Sequence, residues 1–163
     1  MASRLTHYPV WLVSYFSLQD LSHHVIFIQT DNDPDIEGGH RFHVMGSLQQ
    51  GMDTKLDCSI YYPLNTKSVE WMQHKGWLRH GDLERAREIC SRVPPPAKQF
   101  RGARRLVKGP LRHCQHWVAE ALDAMRAEGV LEPLGDHDNG GIIYRAGGNH
   151  TSTFVSVSDH QVV

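Results

Sequence analysis

The sequence predicts an α+β fold, and three observations carry that prediction. Short β-branched and aromatic runs, among them Val25-Ile26-Phe27-Ile28 and Phe42-His43-Val44, fill the first third between turns rich in Asp, Pro and Gly. Two amphipathic stripes with apolar residues at spacings of three and four follow, one after Asp82 and one from Cys114. Two more strand-like pieces then flank a Gly-Gly-Asn turn near the C-terminus.

Taken in order, residues 10–16, 23–30 and 41–48 are strand candidates, with Gly46 and Gly51 marking a bend. Residues 55–62 alternate well enough for another strand, closed by Pro63. Residues 66–79 read as a short, irregular stretch in which Val69, Trp71, Met72 and Trp77 pack. Asp82 caps a helix running to about Arg92, with Leu83, Ala86, Ile89 and Val93 on one face, and Pro94-Pro95-Pro96 ends it. The main helix spans 114–127 and stops at Gly129. Ile142 to Arg145 and Thr153 to Val157 are the late strands; the last four residues are expected to fray.

Length and composition bound the class. A chain of 163 residues is expected to form a single domain, 1–163, with an adequate core. A net charge of −1 with 40% hydrophobic residues names no partner through bulk electrostatics, and no nucleic acid is expected. No apolar stretch is long enough to span a bilayer and the start lacks a signal peptide's apolar region, so a cytoplasmic location is expected. Cys58, Cys90 and Cys114 are odd in number and lack Cys-x-x-Cys spacing, which argues for reduced thiols rather than a disulfide scaffold or a zinc knuckle.

Cys114 is the residue with the most chemical promise. It opens the stripe Cys114, Trp117, Val118, Ala121, Leu122, Met125, so it sits sheltered at the first turn of a core-facing helix. Unpaired amides at a helix N-terminus favour negative charge on a thiol and can hold the oxyanion of an acyl transfer. Upstream, His23 and His24 stand at the entrance of one strand and His43 lies in the next. A thiol, an imidazole to take its proton and a second polar group to orient the ring are the parts of a nucleophilic site.

The order of these segments resembles the circularly permuted papain-like group that includes lecithin:retinol acyltransferase and the NlpC/P60 proteins. The resemblance is carried by His23-His24-Val25-Ile26-Phe27, Phe42-His43-Val44 and His113-Cys114-Gln115-His116-Trp117-Val118. The last segment is also similar to small fungal proteins carrying Asn-Cys-x-x-Trp-Val-x-x-Ala-Leu. The resemblance covers roughly residues 21–48 and 88–129, and His113 stands where the family pattern has Asn. It implies an antiparallel sheet packed on a central helix that starts at the cysteine. It also implies a cysteine-dependent hydrolase, acyl transferase or cyclase acting on an amide, thioester or ester. Cys114 is then the nucleophile, His23 the base and His43 its orienter. His24 is the alternative base, because consecutive strand residues face opposite ways. Gln115, His40 and His113 are candidates for oxyanion or substrate contacts. The implied substrate is a small-molecule or peptidyl acyl compound, and no metal or organic cofactor is needed. The alternative from another class is a non-catalytic binding domain that keeps the fold.

Three other features compete. Six basic and no acidic residues lie between Lys98 and Arg112, a solvated loop that could still draw an anionic substrate toward Cys114. Asp31, Asp33 and Asp35 alternate like a calcium loop, but Ile36 and Phe42 stand where Gly and Glu are required. A zinc site from His23, His43, Cys114 and His116 is disfavoured, since His116 falls on another face of the helix from Cys114. Asn149-His150-Thr151 has glycosylation spacing by chance.

Overall fold

The computed structural model describes residues 6–17, 21–30, 38–59, 62–138, 140–145 and 154–157. The aspartates at 31–35, the 149–151 spacing and the two chain ends lie outside these residues. Strands β1 (His7–Tyr15), β2 (His23–Gln29), β3 (Gly39–Ser47) and β4 (Gly51–Ser59) form an antiparallel meander. Its last turn uses the two glycines read as a bend: Gly46 and Gly51 take φ of 140° and 89°, conformations that other residues rarely adopt.

Strand β5 (Val69–Arg79) then returns to pair with β1, and β8 (Ile142–Arg145) and β9 (Phe154–Val157) extend that side. Among the described residues the antiparallel sheet therefore runs β4-β3-β2-β1-β5-β8-β9. Helices α1 (Leu83–Arg92) and α2 (Cys114–Ala127) lie between β5 and β8 in the chain, with a small hairpin, β6 (Phe100–Arg101) and β7 (Arg104–Arg105), between them.

Strand β5 corrects the reading of 66–79 as irregular. Its alternation is broken twice, because Ser14 and Tyr15 face Trp71 and Val69, while Val10 and Trp11 face Gly76 and His74. Glu70 and Lys75 are thus extra residues, β-bulges that shift the side-chain parity and hide the strand from a period-two search.

Both helices cover one face of the sheet. Val10, Ile26, Ile28, Phe42, Val44 and Leu78 pack there with Ile89 and Cys90 of α1 and with Trp117, Val118, Ala121, Leu122 and Met125 of α2. The buried stripe of α2 is the one the sequence predicts, and the helix closes where Gly129 takes a φ of 70° and the Val130 N–H donates to the Met125 carbonyl at 2.9 Å. In α1, Asp82 occupies the cap position without a side-chain cap bond, since a 3-10 turn at His80–Asp82 leads into the helix instead. Trp117 ties α2 to the end of α1: its indole N–H donates to the Val93 carbonyl at 3.0 Å. On the opposite face Val13, Phe27, Val69 and Met72 form a smaller core. Among the described residues no helix is long and apolar enough to cross a membrane.

Candidate functional site

The site is built where the first turn of α2 meets the head of β2. Cys114 is 8% exposed, and its sulfur lies 4.0 Å from the Ser22 carbonyl oxygen. Beside it the Gln115 side-chain amide donates to the same carbonyl at 3.0 Å, pinning the helix start to the residue before His23. Gln115, a candidate for oxyanion contact, therefore holds the strand.

His113 precedes the helix in extended conformation, and its backbone N–H donates to His116 Nδ1 at 3.1 Å. A histidine nitrogen thus does the work of the usual Glu or Gln at the third helical position. This bond engages His116 in the cap. Within the helix the His116 and Trp117 amides reach back to the His113 carbonyl at 3.1 and 3.3 Å. The Cys114 and Gln115 amides come before these, in the first turn, where helix N–H groups have no partner within the helix.

His23 and His43 are brought together. Their rings meet at 3.0 Å between His23 Nε2 and His43 Nδ1, so one of the two nitrogens carries the shared proton. His43 Nε2 lies 3.9 Å from an Asp57 oxygen, and Arg41 holds that carboxylate with two donors at 3.0 Å each. Burial pushes the His43 imidazole down to about 4, reinforced by the charge His23 would carry and opposed by Asp57. Burial, then Arg41, lowers His23 as well.

His24 lies on the other side of the strand. Alternation along β2 groups it with Ile26 and Ile28, which pack under α2, whereas His23 shares parity with Phe27 of the opposite core. Its ring stands edge-on to Trp71 at 5.3 Å. Burial lowers His24, followed by the His23 charge; Glu70 opposes this, and His113 and Lys75 add to it.

His40 is buried and engaged elsewhere, accepting from the Arg87 guanidinium of α1 at 3.1 Å and lying 3.6 Å from the Cys58 sulfur. The basic loop ends in an anchored segment: Arg112 pairs with Glu120, its Nε donating at 3.1 Å, while Lys98, Arg101, Arg104 and Lys108 are exposed. Among the described residues no three His, Cys, Asp or Glu side chains gather as metal ligands would.

Sequence reasoning missed Ser14, Asp57 and Glu70. Glu70 had a signal, a lone acid between Val69 and Trp71 in an apolar run, but its neighbours depend on the bulge.

No curated protein and no solved structure matches the chain. A family model does match, over residues 10–132, which runs from within β1 through α2 and takes in every residue of this site. The chain belongs to that family, DUF6540, a family of unknown function.

Proposed function

We propose that the chain is a cysteine-dependent hydrolase or acyl transferase of permuted papain-like architecture, with Cys114 as the nucleophile. The observation that carries this reading is the docking of the α2 start on Ser22: the sulfur at 4.0 Å and the Gln115 side-chain amide at 3.0 Å from its carbonyl bring a thiol and helix-terminal N–H groups to the residue that precedes His23 and His24. The His23–His43 bond supports the histidine pairing that the family resemblance implies.

The chemistry follows from those groups. An imidazole at the head of β2 takes the thiol proton, and the sulfur attacks the carbonyl carbon of an amide, thioester or ester. The Cys114 and Gln115 amides hold the oxyanion, and the imidazolium returns its proton to the departing amine, thiol or alcohol. Water, or a second nucleophile for transfer or cyclisation, then breaks the new thioester and restores the thiol. The exposed cations of the 98–112 loop favour an anionic acyl substrate in a cytoplasmic setting.

Iodoacetamide labelling of the native protein tests this in a Cys58→Ser background, where Cys90 stays silent because burial pushes its thiol up to about 12. Rapid alkylation of Cys114 near pH 6 is expected, falling sharply when both His23 and His24 are replaced by alanine. One observation favours a second reading, a binding domain that keeps the fold: the sulfur's polar contact is a carbonyl oxygen rather than an imidazole. Slow labelling at pH 6 that ignores both histidines would decide for it.

A further inference from the structure

We infer that His24 is the imidazole that serves Cys114, and that Glu70 is its positioning residue, a pair formed on the helix-covered face of the sheet by the β-bulge in β5. This rests on the proposed thiol chemistry and names the groups that carry it out.

The argument begins with faces. A strand without a bulge keeps strict alternation, and β2 pairs residue for residue with β1 from His23 to Ile28. Ile26 and Ile28 lie in the core beneath α2, so His24 shares the side on which α2 begins. His23 falls on the reverse side with His43, Arg41 and Asp57, which bond among themselves.

Glu70 reaches the same side through the bulge. Ser14 faces His24 across β1 and β2, and faces Trp71 across β1 and β5. As the extra residue beside Trp71, Glu70 is turned onto that face, and the completely buried Ser14 hydroxyl donates to its Oε2 at 2.6 Å. Trp71 closes the side of the His24 ring. Ser14 and Ser22 hold the Glu70 carboxyl below its ordinary range, and its charge in turn favours protonation of His24. The other charged groups that act on His24 are His23, adjacent on its own strand but on the reverse face, Lys75 on β5 and His113 at the head of α2, and all three oppose its protonation.

The same Ser22 therefore touches both halves: its carbonyl meets Cys114 and Gln115, and its hydroxyl meets Glu70. Proton transfer from the Cys114 thiol to His24 gives thiolate and imidazolium, and Glu70 stabilises that cation without itself taking the proton.

The test is the pH profile of Cys114 alkylation in the Cys58→Ser background, paired with an NMR titration of the His24 ring. His24→Ala and Glu70→Gln are each expected to slow labelling at pH 6 by about tenfold or more and to move the profile to higher pH, with Glu70→Asp restoring part of the rate. Glu70→Gln should also move the His24 titration to lower pH, a shift that loss of packing alone does not produce. Should a variant fold poorly, the wild-type His24 titration still decides, because iodoacetamide capping of Cys114 should lower it once the thiolate is removed. Wild-type labelling in His24→Ala with collapse in His23→Ala overturns the assignment and leaves the thiol chemistry standing. Labelling that ignores both histidines overturns both.

Discussion

Gln99 grips the backbone of Arg112 from both sides. Its side-chain N–H donates to the Arg112 carbonyl at 2.6 Å, and its carbonyl accepts the Arg112 N–H at 2.8 Å. Only 4% exposed, it anchors the chain two residues before Cys114 and closes the base of the basic loop. Gln99→Ala is expected to cost about 1–3 kcal/mol, because two backbone groups lose buried partners. Urea unfolding gives the cost, and faster exchange of the Arg112 amide locates it. An unchanged exchange rate would mean the loop is anchored elsewhere.

Trp117 is fully buried and bonded to Val93. Trp117→Ala should destabilise by roughly 3–5 kcal/mol. Trp117→Phe should cost less, since it keeps most of the packing and loses the bond. Equal thermal midpoints for Trp117→Ala and wild type would contradict the helix facing.

Acid should weaken the fold. Burial lowers His23, His24, His43 and His113 alike, His43 to about 4. Between the ordinary histidine value near 6.5 and that point the unfolded chain binds more protons than the native one. Stability is therefore complete above about pH 6.5 and declines as pH falls toward 4. A melting series from pH 7.5 to 4.5 should show this fall, and His43→Asn should flatten it; a midpoint that rises with acid would reverse the sign argued here.

Gly76 admits no side chain. Its φ is 149°, and a Cβ would lie 2.2 Å from the Glu132 carbonyl oxygen, beside the bridge between Trp77 and Glu132. Gly76→Ala should cost about 1–3 kcal/mol or more through strain, measured by thermal unfolding. A neutral substitution would show that residues 131–133 shift without penalty.

These positions also show how far the sequence could be read. The span of α2 was legible to the residue because Cys114, Trp117, Ala121 and Met125 keep one period and Gly129 ends it. Strand β5 was not, since two bulges break its period and Gln73, His74 and Lys75 resemble a loop. At the site, Cys114 and the histidines stand out by residue type. Glu70 and Asp57 do not, because what makes them neighbours of histidines is cross-strand register, a property of the assembled sheet.

The strand order has a consequence for how the molecule assembles. From β1 to β4 each strand pairs with its neighbour in sequence, so that meander can form through contacts local in the chain. Strand β5 must return to β1 across the whole meander, and the Ser14–Glu70 contact joins residues 56 apart. Closing that loop carries a larger entropic cost than closing any one hairpin of the meander. Until it closes Glu70 is apart from Ser14 and His24, so, on the proposed chemistry, recovery of a reactive thiol during refolding should lag behind formation of the hairpins.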